Sequence, residues 1–212
     1  MSIHDYLDKV LTTYSTGAYY DEVKKAKNEF FDRTGKVAEG SEKFESQMRA
    51  FLDWYLFDRP MDKAQLCPIK LFLIEKADEI LPGDHEIYQG LTQSIHSVFE
   101  LQKVRDEDVY VKDLVSGEKY IVEDSEINLG FTKGDVFEAR LLKLRDRLVF
   151  GNSFTFHPRE VRSFILKQIK QVRYLDHAHK LKLFQKLSSM RLKTDQYPHI
   201  DVRHIYTENP LF

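Results

Sequence analysis

Apolar residues recur at helical spacing through residues 1–95, alternate with polar ones through residues 96–157, and return to helical spacing over residues 158–193. Tyr6, Val10 and Leu11 predict a short helix over 4–14. Val23, Ala26, Phe30 and Phe31 predict a second over 19–33, with Gly35 as its stop. Phe44, Met48, Phe51, Leu52 and Tyr55 form the stripe of a third helix over 42–58, with Ser41 as its expected N-cap. Trp54, Leu56 and Phe57 make its last turns apolar nearly all round, the pattern of a helix end buried from several sides. Asp58-Arg59-Pro60 ends it, because the residue before proline avoids the α region. Arg59 is expected to lock that end by pairing with a carboxylate or stacking on a ring. Pro68 opens a further helix over 68–79, at a position where its missing N–H costs nothing. Leu81-Pro82-Gly83 is a turn, and Asp84 is expected to cap a helix to about Ile95.

The middle of the chain reads as strands. Residues 98–104, 109–114 and 119–122 are short, β-branched and aromatic, with Ser116-Gly117 as a tight connection. After Gly134-Asp135, the residues Val136, Glu138 and Arg140 alternate with Phe137, Ala139 and Leu141. Residues 147–150 and 153–156 suggest a last hairpin across Gly151-Asn152. Five or six short strands in this span predict a small antiparallel barrel or a strongly curved sheet, since closure removes exposed edges. From Pro158, Val161, Phe164, Ile165, Ile169 and Val172 form one helical stripe, and Leu181, Phe184, Leu187 and Met190 a second. A break near Asp176 would make this a helical hairpin rather than one long helix.

The expected fold is therefore α+β. A helical unit occupies 1–95, a small β-barrel-like module 96–157, a basic helical segment 158–193 and an irregular tail 194–212. The runs Phe51-Leu-Asp-Trp-Tyr-Leu-Phe-Asp-Arg-Pro60, Pro68-Ile-Lys-Leu-Phe-Leu73, Ser97-Val-Phe-Glu100, Asp113-Leu-Val-Ser-Gly-Glu118 and Gly134-Asp-Val-Phe-Glu-Ala-Arg-Leu141 occur in this order across residues 44–157. Their order resembles bacterial proteins of an uncharacterised family. Some members of that family carry a C-terminal cysteine-rich SEC-C metal motif, from which this chain departs, having no cysteine after Cys67. The resemblance implies a helical unit followed by a β-module and supplies no activity.

Charge changes this picture more than composition does. The net charge of -2 hides a basic segment: residues 158–193 hold ten Lys and Arg against two acids, while the rest of the chain is net acidic. Arg159, Arg162, Lys167, Lys170, Arg173, Lys180, Lys182 and Lys186 are the expected contacts to an acidic protein or a nucleic acid. The competing expectation is that this segment docks on the chain's own acidic body. Phe99, Tyr110, Tyr120, Phe137, Phe154 and Phe156 would form a base-stacking platform if the β-module took part, although core packing is the commoner use of such rings.

The single cysteine excludes a disulfide framework and a multi-thiolate zinc site. Cys67 has no base beside it in sequence and reads as a buried, inert thiol. His177 and His179 point to different sides of a helix, whereas His199, Asp201 and His204 would form a metal set only if the tail folded back. No phosphate loop, nucleophile elbow or zincin motif occurs, so no cofactor is expected. No basic-apolar leader and no apolar run of membrane-spanning length is found, which points to a reducing, cytoplasmic setting. The leading expectation is a non-enzymatic binding or adaptor protein working through the basic segment. One alternative is nucleic-acid binding by β-module and basic segment together. Another is an enzyme whose site forms only in three dimensions.

Overall fold

A computed structural model describes residues 2–40, 42–123, 130 and 132–209. Eight α-helices and five strands lie in the described residues. Helices α1 (Ile3–Ser15), α2 (Tyr20–Thr34), α3 (Glu42–Phe57), α4 (Pro68–Glu75) and α5 (His85–Leu91) come first. Strands β1 (Ile95–Arg105), β2 (Asp108–Asp113), β3 (Lys119–Val122), β4 (Val136–Leu144) and β5 (Arg147–His157) follow. Then come α6 (Arg162–Val172), α7 (His177–Gln196) and α8 (Val202–Ile205). No helix among the described residues is long and apolar enough to cross a membrane.

Helix α1 begins with a reciprocal cap between Ser2 and Asp5. Ser41, the expected cap of α3, lies outside the described residues. Helix α4 stops earlier than its apolar pattern suggests, at Glu75, and a short 3-10 turn spans Ala77–Glu79. Helix α5 ends at Leu91, because Ile95 already belongs to β1. Asp84 makes no cap there; its carboxylate accepts the Tyr6 hydroxyl at 2.7 Å. Gly90 allows α5 to press on β4, since a Cβ there would meet the Lys143 carbonyl at 2.5 Å.

The sheet is antiparallel, with strand order β3-β2-β1-β4-β5. It is strongly curved, and Phe99, Leu101, Val109, Val111, Phe137, Leu141 and Phe150 pack inside the curl. The expectation of a closed barrel does not hold. Among the described residues the two edges approach at one backbone hydrogen bond, Glu123 N–H to Leu148 O at 3.0 Å, and no ladder joins β3 to β5.

The expected hairpin over 147–156 is also absent. Residues 147–157 form one strand, and Gly151-Asn152 is a bulge: Ala139 pairs with Phe154 while Leu141 pairs with Phe150.

The helices cover the convex face of the sheet. Helices α1, α4 and α5 pack on Leu142 and Val149, and α6, α7 and α8 pack on Val98 and Val136. Between these two contacts α2 and α3 join through Phe30, Phe31, Phe51, Trp54 and Tyr55. Arg59 closes the end of α3 as its sequence suggests, with its guanidinium buried against Glu22 (2.7 Å), Glu29 (2.9 Å) and Asp62 (3.1 Å). The chain does break at Asp176, which caps α7, so the basic segment is a helical hairpin. The tail is more ordered than its composition implies: α7 runs to Gln196, and Ile205 and Tyr206 are buried. Tyr206 anchors it through its hydroxyl, 2.9 Å from Nδ1 of buried His157. The final Pro210-Leu211-Phe212 lies outside the described residues.

Candidate functional site

Alternation along β4 sends Val136, Glu138, Arg140 and Leu142 to the helix-covered face. Two charged side chains are thereby buried between apolar contacts. Arg140 is 2% exposed. Its Nε donates to Asp53 at 2.9 Å, one terminal nitrogen donates to Asp58, and the other donates to Ser94 at 3.2 Å. The Phe57 ring lies 4.6 Å from its guanidinium carbon. Asp53, Phe57 and Asp58 come from the last turns of α3 and the residue after it, so the aromatic end of α3 delivers two carboxylates to one arginine.

A chain of polar contacts runs through this point. His177 Nε2 is 3.0 Å from one Asp58 oxygen. The other Asp58 oxygen is 3.3 Å from His96 Nδ1, at a poor hydrogen-bonding angle, so that contact is chiefly an ion pair. His96 Nε2 is 2.9 Å from Glu138, whose second oxygen accepts the Ser188 hydroxyl at 3.0 Å.

Burial and Arg140 both oppose protonation of His96, yet its contacts to Asp58 and Glu138 outweigh them and raise its pKa to about 9. Burial opposes ionisation of Asp58 too, but Arg140 and the two histidines hold its carboxyl well below the ordinary value. Asp53 goes the other way: burial dominates and raises its pKa despite Arg140. Opposite shifts in carboxylates on one guanidinium are the perturbation that clefts with chemistry tend to carry.

The network floors a cleft of about 690 Å³ between the end of the sheet, α4 and the α6–α7 turn. Asp58, His96 and Arg140 line it from below, and Lys70, Arg173, His177 and Lys180 stand around it. Lys70, Arg173 and Lys180 make no salt bridge among the described residues. Arg173 reaches the Leu114 carbonyl at 3.2 Å, and its Nε is buried without a partner. His177 is 60% exposed on the side chain, and Tyr174, also at the cleft, is 90% exposed. Asp113 faces the cleft as well, but its carboxylate is occupied by Ser97, Ser116 and the Val115 N–H.

The eight basic residues singled out by charge therefore divide. Arg159 pairs with Asp135 at 2.6 Å, Arg162 with Glu100 at 2.6 Å and Lys167 with Glu208 at 2.8 Å. Arg173 and Lys180 line the cleft. Lys170, Lys182 and Lys186 make no salt bridge among the described residues and lie away from its lining. The suggested aromatic platform divides: Phe99 and Phe137 are fully buried, with ring centroids 6.1 Å apart, while Tyr110, Tyr120, Phe154 and Phe156 are half-buried.

No metal-ligating cluster of three or more groups occurs among the described residues. Cys67 is buried, and burial pushes its thiol pKa up. Asp53, Asp58, Glu138 and Arg140 lie in the runs that carry the family resemblance, and His96 directly precedes another, but no sequence motif singled out any of the five as a site residue. The available signal was the pairing of Glu138 with Arg140 on one strand face between Val136 and Leu142, and two aspartates in an otherwise apolar helix end.

No curated protein and no solved structure matches the chain. A family model described as a family of unknown function (DUF7986) matches residues 20–187, a span that takes in α2 through the middle of α7 and every residue of the cleft; the chain belongs to that family.

Proposed function

We propose that the chain is a binding protein whose basic hairpin engages an anionic partner at this cleft, and that the phosphates of single-stranded nucleic acid are the chemistry it fits. The observation that carries this reading is the set of three cations without counter-ions, Lys70, Arg173 and Lys180, converging from α4 and the hairpin on one concavity. Phosphate neutralisation by such groups releases condensed counter-ions and gives affinity that is independent of sequence. Tyr174 at the rim offers a ring face on which an unpaired base can stack. The acidic remainder of the chain would repel a polyanion elsewhere, confining contact to the hairpin side.

A second reading, an acidic protein segment, draws on Leu175, which is 44% exposed and follows Tyr174 in the chain, so that apolar area is exposed near the cleft as well as charge. Fluorescence anisotropy with short single-stranded RNA and DNA, at low and moderate salt, separates the two. The nucleic-acid reading expects affinity to fall steeply with salt. It also expects a variant with Lys70, Arg173 and Lys180 changed to Ala to bind much more weakly at low salt, with a log–log salt slope shallower by about 2 for three lost phosphate contacts. Absence of binding at low salt would retire the nucleic acid and leave the acidic segment to be tried by the same assay with a labelled Glu-rich peptide.

A further inference from the structure

Among the groups around the cleft, His177 has a feature that anion binding does not use. It is the first residue of α7, and Asp176 caps that helix, so the backbone carrying the ring is held in place. Its Nε2 lies 3.0 Å from Asp58, a carboxylate only 2% exposed. Asp58 is itself fixed by Arg140 and His96. An imidazole that donates its Nε2 proton to a carboxylate carries its lone pair on Nδ1, and Nδ1 has no partner among the described residues. A base oriented by a buried carboxylate, beside unpaired cations in an open cleft, is the arrangement of general acid–base catalysis on an anionic ester.

We propose that this cleft cleaves single-stranded RNA, with His177 as the catalytic base, Asp58 as its positioning residue, Lys180 as the acid that protonates the leaving oxygen, and Lys70 and Arg173 balancing charge on phosphorus. This rests on the reading that nucleic acid enters the cleft. The nucleophile is the ribose 2′-hydroxyl. His177 Nδ1 takes its proton, the 2′-oxygen bonds to the adjacent phosphorus, and the bond from phosphorus to O5′ breaks. The electron pair leaves on O5′, which takes a proton from Lys180, three residues along α7 from His177. Lys180 recovers that proton from the imidazolium through solvent. The products are a 2′,3′-cyclic phosphate and a free 5′-hydroxyl, so nothing is oxidised or reduced and no further reactant enters. Extra negative charge on the pentacoordinate phosphorus is greatest in the transition state, where fixed cations contribute most.

The test uses the full chain and an end-labelled RNA oligonucleotide, the same sequence as DNA, and the RNA with one 2′-deoxy position. The expected result is RNA cleavage to cyclic-phosphate ends, DNA bound but intact, and no scission at the deoxy position. His177→Gln should lower the rate at least about 100-fold while RNA affinity stays within about twofold; the ring is mostly exposed, so this variant should fold. His199→Gln, which changes another exposed histidine away from the cleft, should cut as the parent does. Asp58→Asn should lower kcat more than it raises KM, and the imidazole nitrogen shifts of His177 should change from one tautomer to a mixture, a signature that loss of packing alone does not produce. Binding without cleavage, or cleavage undiminished in His177→Gln, overturns the catalytic assignment and leaves the binding reading standing. Loss of both binding and cleavage in the parent chain overturns both.

Discussion

Replacing Arg140 with Met keeps most of the side chain's length and apolar stem but removes the guanidinium, leaving Asp53 and Asp58 without their shared partner. Both carboxylates are buried, with side chains 12% and 2% exposed, so water cannot fully replace the lost donors. Breaking a buried pair from one side costs about 3–5 kcal/mol, because the charge left behind is uncompensated. Asp53 should escape most of that by taking up a proton, since burial already raises its pKa. Asp58 keeps His96 and His177 but loses the strongest influence holding its pKa down, so it carries most of the cost. For a chain of this size each kcal/mol moves Tm by roughly 2–4 °C, so the midpoint should fall by about 6–20 °C. Thermal melting at pH 7 followed by far-UV circular dichroism measures this directly. Adding Asp53→Asn and Asp58→Asn to the same chain should recover part of the loss, because the neutral amides need no counter-ion. A cost under about 1 kcal/mol for Arg140→Met, or no recovery in the triple variant, would show that Arg140 does not compensate these carboxylates.

Stability should also peak near pH 6.5 and fall on both sides. His96 has a folded pKa raised to about 9, so its contribution is complete below its unfolded value of 6.5 and is lost as pH rises toward 9. His157 is held neutral by burial, with a folded pKa near 4, so its contribution is complete above 6.5 and is lost as pH falls toward 4. Each is worth on the order of 3 kcal/mol. Urea melts across that range should show His96→Gln flattening the alkaline limb alone; an unchanged alkaline limb would refute the ion-paired His96. Trp54→Ala should cost about 3–5 kcal/mol through the cavity left beside Phe30. A urea midpoint within error of the parent would argue against a buried Trp54.

Local pattern decided much of this molecule. Helices α1 to α3, the positions of β1 to β4 and the break at Asp176 follow from spacing, proline and capping residues, whose effects reach only one or two turns along the chain. The buried role of Trp54 and the locking role of Arg59 were legible for the same reason: an apolar helix end followed by Asp-Arg-Pro leaves few other uses for them. Charge counting also isolated the basic hairpin, two of whose predicted contacts, Arg173 and Lys180, line the cleft. It could not separate these from Arg159, Arg162 and Lys167, because their acidic partners lie 24 to 62 residues away.

Only the tertiary structure decided the rest. Alternation showed that Glu138 and Arg140 share a face of β4, but not that helices cover it and turn two surface-type charges into buried ones. Gly151-Asn152 has the composition of a turn, and only pairing with β4 makes it a bulge. Sheet closure likewise depends on whether β3 and β5 share a ladder, which neither strand's own sequence encodes. The site itself joins Asp58 to Arg140, 82 residues apart, and to His177, 119 residues apart. Side-chain periodicity carries no information at such separations; which carboxylate meets which cation is set when the helical layer packs on the sheet and water is excluded between them.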